Sequence, residues 1–425
     1  MADGDVEQIS TQDFLREIGT YRAGERDTQR TARRCICSHG LELEIPVFLN
    51  QFWSRHQKAG SSLHRIAYRC SFSPLLPRFF IEKLSRKQQP VYDPYMGRGT
   101  TPIEAALLGR IPLGNDANPL CRMLVEPRLR PQFVGRVMGR LHALDFDLYD
   151  EILPQALIPL FHPATLDDLC CLRHHLLELT EEGYDEMDNW IRMLVISSLT
   201  GARSGYLIGP ALQPNQPLLP TRLARFQAPD DCQLPKKSLF DCLRRKSELL
   251  TDGFDWTAQE LLQPVISQAQ FLTCPADHTP QIQTSSVSLV VTGPPELKPF
   301  DYARDNWIRC WFVDVDPELV PVSAHWDLDS WIEEMMRVFV ELYRVLKPGG
   351  YCVVEIASLR PRKLRWDEVV LECALAAKFE AVAIIINTAF GGQGLLERPY
   401  MVRRSDFDEA IIVRKPGPSW LANPS

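Results

Sequence analysis

The segment that most restricts the fold is Val91–Thr101, Val-Tyr-Asp-Pro-Tyr-Met-Gly-Arg-Gly-Thr-Thr, read with its flanks. Gln89 to Asp93 reads as a short strand that ends on an acid. Gly97 and Gly99 follow, and they let a backbone turn tightly and approach a ligand without side-chain obstruction. Pro102 to Leu108 reads as a helix, because a proline in the first helical turn sacrifices no hydrogen bond. Ile111 to Asp116 is a second short strand. Strand, turn, helix and strand within residues 89–116 describe a βαβ unit, and such a unit requires a parallel sheet.

The rest of the chain divides around that unit. Residues 1–60 mix acids and arginines with little apolar periodicity before Leu41–Leu49, and read as a poorly specified N-terminal extension. Residues 121–264 are rich in Leu, Arg and Pro. They hold helical stretches such as Ala164–Leu179 and Met187–Leu199, and a proline-rich patch at Leu207–Pro220. The sheet pattern resumes at Ser286–Thr292. A helix follows from about Asp329 to Leu346, with Trp331, Met335, Val338 and Leu342 on one face. Lys347-Pro-Gly-Gly350 stops it. Tyr351–Ile356, Ala381–Ile386 and Glu409–Val413 read as further strands. The expected architecture is one αβ core at 61–120 and 265–415, split by a helical insertion at 121–264, with a tail at 416–425. No internal repeat is present.

Composition narrows the class without naming a function. With 425 residues, 45% of them hydrophobic and 24% charged, the chain is globular rather than disordered, coiled or collagenous. At roughly 150 residues per domain it should form two to three units. The 33 prolines cut it into short elements. No apolar run reaches the roughly 20 residues a bilayer requires, so no membrane partner is expected. The polar, acidic start is unlike a secretory signal, and 12 scattered cysteines without a disulfide framework suit a reducing cytoplasm. A net charge of -7 argues against coating nucleic acid by bulk charge, but leaves room for a local basic groove.

Acids and glycines together point to a nucleoside ligand. Nineteen residues after Gly97, Asp116 ends the second strand, where an acid can accept hydrogen bonds from both hydroxyls of a ribose. The chain has neither G-x-G-x-x-G nor Gly-Lys-Ser/Thr at this turn, so pyrophosphate and triphosphate ligands are poorly supported.

At these residues the chain resembles a known family. Asp93-Pro-Tyr-Met-Gly-Arg-Gly-Thr-Thr101 is similar to the cofactor loop of the DNA amino-methyltransferases, usually Asp-Pro-Phe-x-Gly-x-Gly-Thr-Thr. Those enzymes move a methyl group from S-adenosylmethionine to the exocyclic amine of cytosine or adenine. Phe72-Ser73-Pro74 resembles the family's segment over the methionine end of the cofactor. Arg344–Gly350 resembles a feature shared by class I methyltransferases. Asn306–Phe312 after Asp301-Tyr302 resembles the segment that follows the catalytic loop in one bacterial branch, and Leu199–Gly201, Ser204-Gly205 and Pro214–Gln216 fall in register within the insertion.

The resemblance implies a class I methyltransferase fold: a Rossmann-like, mostly parallel, seven-stranded sheet carrying a large helical insertion. It implies S-adenosylmethionine as cofactor. The cofactor would lie among Phe72, Ser73, Pro74, Asp93, Pro94, Tyr95, Gly97, Gly99, Thr100, Thr101, Asp116, Asn118 and Asp277. Asp93 and the Gly97–Thr101 turn would cradle its methionine part, Asp116 its ribose, and Asp277 its adenine amine. DNA with a flipped target base is the implied partner, the insertion the implied target-recognition region, and a restriction or regulatory protein a further partner.

The catalytic loop departs from the family. There a strand ends in Ser, Asp or Asn, then Pro-Pro, then an aromatic residue. An aryl amine is a poor nucleophile, so a side-chain oxygen and the first proline's carbonyl accept its two N–H groups, aiming the lone pair at the methyl while the ring stacks on the base. This chain has Thr292, Gly293, Pro294, Pro295 and Glu296. Gly293 offers no side-chain acceptor and Glu296 no stacking face, and each loss is worth on the order of a few kcal/mol. Thr292, Glu296 and Asp301 are the candidates to compensate.

Three arginine clusters read either as phosphate contacts or as solvated surface: Arg122, Arg128, Arg130, Arg136 and Arg140; Arg360, Arg362, Lys363 and Arg365; and Arg398–Arg404 after Ala389–Gly394. Cys35-Ile-Cys37 with His39 lacks a second ligand pair at zinc-finger spacing. Cys170-Cys171 with His174-His175 reads more simply as an amphipathic helix, so no metal is expected. The reading is an S-adenosylmethionine-dependent methyltransferase of a DNA amine, cytosine N4 favoured over adenine N6. Its alternatives are a cofactor-binding but catalytically impaired homologue acting as a DNA-binding or regulatory protein, and a methyltransferase acting on RNA or a protein amide.

Overall fold

The structure is a computed structural model. It describes residues 9–36, 42–53, 60–68, 72–146, 152–179, 183–200, 206–208, 234–297, 301–322, 325, 327–356, 364–388 and 407–417. A nine-stranded sheet forms its centre. In chain order the strands are β1 (Gln29–Ile36), β2 (Glu42–Asn50), β3 (Pro90–Asp93), β4 (Ile111–Asn115), β5 (Gln270–Leu272), β6 (Val287–Thr292), β7 (Leu346–Glu355), β8 (Glu380–Thr388) and β9 (Phe407–Arg414). They lie side by side as β1-β2-β8-β9-β7-β6-β3-β4-β5.

From β5 to β7 every pairing is parallel, β9 runs antiparallel between β7 and β8, and this seven-strand run is the class I methyltransferase order. The strand order reverses between β3 and β6. Open αβ sheets bind ligands outside the carboxyl ends of their strands at such a point. Central β6, Val-Ser-Leu-Val-Val-Thr, is buried along its whole length, as a strand covered on both faces must be.

The reading of residues 1–60 as a poorly specified extension is corrected by β1 and β2. β2 pairs parallel to β8 and β1 antiparallel to β2, so the sheet has nine strands and not the seven expected. Helix α1 (Thr11–Thr20) buries Phe14 and Ile18. Arg33 of β1 reaches across the sheet edge to Asp367 at 2.7 Å and Glu409 at 2.8 Å. Burial opposes its charge, but the two carboxylates outweigh that and hold the guanidinium protonated.

Two apolar layers sandwich the sheet. On one side Phe14, Leu76, Phe79 and Phe80 pack on Val91, Val291 and Ile385. On the other, α11 (Leu328–Val345) turns Trp331, Met335, Val338 and Leu342 inward, the face its periodicity predicts. Among the described residues six α-helices run between β4 and β5: α4 (Pro119–Val125), α5 (Val134–His142), α6 (Pro163–Glu178), α7 (Glu186–Ser198), α8 (Leu239–Thr251) and α9 (Trp256–Ile266). Much of this insertion has its own core around the fully buried Trp190. It also receives Ile308 and Phe312 of α10 (Tyr302–Phe312), and Arg309 of α10 donates to the carbonyl of Ile196 at 3.1 Å. The insertion is thereby fastened to the helix that follows the loop after β6. Among the described residues no helix is long and apolar enough to cross a membrane.

The Arg33 contacts give the first prediction. Arg33→Ala leaves the buried Glu409 without its cation and Asp367 with Arg365 alone, and should lower the unfolding free energy by about 3 kcal/mol in denaturant titration. A change below about 0.5 kcal/mol would show that β1 is not integral to the fold.

Candidate functional site

Helix α3 (Thr100–Leu107) starts directly after the turn that leaves β3, and the turn depends on glycine. Gly99 sits in the left-handed region at φ 78°, and a Cβ there would lie 2.4 Å from Val125. Both backbone strain and collision therefore exclude other residues. Behind the turn, the hydroxyl of Thr101 donates to the carbonyl of Val291 at 3.0 Å, tying α3 to β6. Thr100 and Pro94 are buried beside it.

The carboxylates converge as the sequence spacing predicts. Asp93 is 1% exposed. Its Oδ1 accepts from the Thr292 hydroxyl at 2.7 Å and from the Tyr95 amide at 3.1 Å. Its Oδ2 is buried and receives no hydrogen bond. Burial pushes the carboxyl up to about 7, against the pull of those donors. Asp116 accepts from the Gly97 amide at 2.9 Å and the Asn118 amide at 3.0 Å, and burial raises its pKa as well. Asn118 caps α4 by accepting from the Leu120 amide, and its side chain is held by the hydroxyls of Tyr68 and Tyr302 at 3.3 and 2.6 Å.

The Phe72-Ser73-Pro74 segment meets the same edge. Ser73 and Pro74 start α2 (Leu75–Leu84), and the Phe72 ring lies beside Gly293. Arg98, the variable residue between the two glycines, fastens this segment to the turn. Its guanidinium donates to the carbonyls of His64, Ile66 and Phe72 at 3.1–3.5 Å. Sequence reasoning missed Arg98 because its position in the motif tolerates any residue. Asp277 lies after β5, where its carboxylate accepts from Arg337 of α11 at 2.9 Å. That partner is sixty residues away in sequence and was not foreseen.

The loop of residues 292–296 leaves β6 at the same edge. Thr292 is bonded to Asp93, Pro294 is buried, and the Pro295 carbonyl accepts from the Trp331 indole at 2.9 Å. Among the described residues nothing donates to the carbonyl of Pro294. Glu296 is half-buried. Asp301 caps α10 by accepting from the Arg304 amide at 3.0 Å. Two of the three expected substitutes for the missing acceptor, Thr292 and Asp301, therefore have other work. Glu355 was not singled out by sequence reasoning. It ends β7, is buried, and brings a carboxylate beside Gly293.

The arginine run opening the insertion does not form an open basic groove. Arg128 is fully buried and donates to the carbonyls of Leu124 and Leu63. Arg122 pairs with Glu126, Arg130 with Glu186, and Arg140 with Asp185 and Asp188. Arg365 pairs with Asp367 and Glu368. Arg360, Arg362, Lys363, Arg398–Arg404, Ala389–Gly394, Gly201, Ser204-Gly205, Pro214–Gln216 and most of Leu207–Pro220 lie outside the described residues, as do Cys37 and His39. Among the described residues no group of three or more His, Cys, Asp or Glu is placed to hold a metal. Cys170 and Cys171 are buried in the insertion, and His174 pairs with Glu178.

Asp93 yields a pH prediction. Its folded pKa lies above its ordinary value of 3.8, so between about pH 4 and 7 the folded state binds the extra proton. Its contribution to stability is complete below pH 4 and is lost as pH rises through 7, amounting to about 4 kcal/mol at most. In denaturation at pH 5 and pH 8, Asp93→Asn should remove that part of the pH dependence. An unchanged difference between the two pH values would contradict the assignment.

Comparison with known proteins bears on this geometry. Residues 23–126 match the family model described as DNA methylase, covering β1 through the end of α4. No curated protein matches the chain. Among solved structures, one is a protein from Thermus thermophilus described as a DNA modification methylase, 20% identical over 33% of this chain and 49% of that one, TM-score 0.21. TrmN from the same species is 11% identical over 83% of this chain and 51% of its own, TM-score 0.31. A SAM-dependent methyltransferase from Methanosarcina mazei is 11% identical over 80% and 98%, TM-score 0.32. The chain spans about half the length of the first two. These TM-scores are low, and the fold assignment rests on the strand order of the sheet itself. By that order the chain has the class I methyltransferase fold, and its residues 23–126 match the model of the DNA methylase family.

Proposed function

We propose that the chain methylates an exocyclic amine of DNA, cytosine N4 in preference to adenine N6, on a base flipped out of the helix. The observation that carries the reading is the buried, unbonded Oδ2 of Asp93 at the reversal point of the sheet, one turn from Asp116. A carboxylate oxygen buried without a partner is costly, and a ligand ammonium is a group that would complete it. The α-ammonium of S-adenosylmethionine fits that need. The ribose hydroxyls fit Asp116, whose oxygens keep free lone pairs after accepting from Gly97 and Asn118.

The bound cofactor supplies an activated methyl on a sulfonium. The chain's residues do the rest. The glycine turn admits the ligand close to the backbone, and Phe72 covers the neighbouring Gly293. The Pro294 carbonyl is available to accept one N–H of the target amine, and the Trp331 bond to Pro295 keeps that carbonyl in place. A fixed acceptor aims the amine lone pair and lowers the cost of orienting it. The DNA reading draws its support from the family match and from the Pro-Pro loop. The insertion, fastened to α10, is the proposed target-recognition region.

The test uses the full chain. It should bind S-adenosylmethionine in calorimetry, and Asp116→Ala should weaken binding about tenfold or more, the effect of losing a charged acceptor. With methyl-labelled cofactor and DNA free of methylated bases, nucleoside mass spectrometry should find N4-methylcytosine. Binding without transfer to DNA would overturn the reading as an active DNA enzyme, and transfer to RNA alone would redirect it.

A further inference from the structure

We propose that Glu355 is the acceptor that the Gly293 position lacks, taking one N–H of the target amine and then its proton; this rests on the amine-methylation reading above. Strands β6 and β7 pair in parallel with Thr292 opposite Val354, so Gly293 and Glu355 lie one step further along the same edge. A Cβ placed on Gly293 would lie 3.5 Å from Oε2 of Glu355 and 3.3 Å from the Phe72 ring. The space that a Ser, Asp or Asn side chain would fill at 293 is therefore bordered by a carboxylate oxygen from the neighbouring strand. Missing acceptor and extra carboxylate compensate across the register, and a larger residue at 293 would crowd both Phe72 and Glu355.

Of the three acceptors that the sequence offered, two are turned to other groups. The Thr292 hydroxyl is donated to Asp93, and Asp301 caps α10. Glu355 is 4% exposed, and in so dry a surrounding a hydrogen bond donated to a carboxyl oxygen is strong. In the step it assists, the amine lone pair forms the new C–N bond to the methyl carbon. The C–S bond breaks, its electron pair stays on sulfur, and S-adenosylhomocysteine results. The proton lost from the methylated nitrogen passes to the Glu355 carboxylate and then to water.

Binding alone tests the assignment without requiring turnover. Sinefungin replaces the sulfonium and its methyl with a carbon bearing a protonated amine, which projects where the target amine would meet its acceptors. The full chain should bind sinefungin about tenfold more tightly than S-adenosylhomocysteine in calorimetry. Glu355→Gln should reduce that preference to within about twofold while leaving S-adenosylhomocysteine affinity unchanged. Should that variant not fold, Glu355→Met, of similar volume, is read in the same way. A preference absent from the native chain, or retained in the variants, would overturn the role of Glu355. A native chain that binds neither ligand would overturn the cofactor reading, and with it this assignment.

Discussion

The hydrogen bond from Thr292 to the buried carboxylate of Asp93, 2.7 Å long, joins the two strands between which the sheet reverses its order. Everything proposed for the site hangs on that junction. Asp93 ends β3 and introduces the glycine turn; Thr292 ends β6 and introduces Gly293 and the two prolines. The bond brings the cofactor turn and the loop for the acceptor into one edge. It uses one carboxylate oxygen and leaves the other bare in a dry setting. An apo protein tolerates this by keeping the carboxyl partly protonated near neutral pH, in line with its raised pKa. A cationic ligand would draw the proton off, so cofactor binding and the charge of Asp93 are linked.

A second layer supports the junction from further away in sequence. Arg98 binds the carbonyls of residues 64–72 to the turn, Trp331 holds the Pro295 carbonyl, and Arg309 fastens α10 to α7. Each of these donors satisfies a backbone carbonyl in a loop or at a helix end, where the regular ladders leave them unpaired. Arg128 does the same while fully buried. Arginine in this chain is thus used as internal fastening as well as surface charge. That changes what the net charge of -7 implies, since several arginines counted toward a basic groove are neutralised or enclosed.

Local pattern exposed the βαβ unit, α11 and β6, because hydrophobic period, glycine and proline are read within a single element. The convergence of Asp93, Gly97 and Asp116 was legible for the same reason. β1 was not. Its Gln-Arg-Thr-Ala-Arg-Arg run exposes most of its residues, as an edge strand does, and Arg33 finds its partners 334 and 376 residues away. Glu355 was invisible because strand register alone sets it beside Gly293. Burial of Arg128 likewise depends on carbonyls that no local pattern announces.

The central claim, that S-adenosylmethionine sits at the carboxyl edge between β3 and β6, is tested most directly by hydrogen–deuterium exchange with and without the cofactor. The account predicts slowed exchange in peptides covering residues 93–101, 114–118 and 292–296, with helices α6 and α7 unchanged. Protection confined to the insertion, or none at the Gly97–Thr101 turn under saturating cofactor, would contradict it.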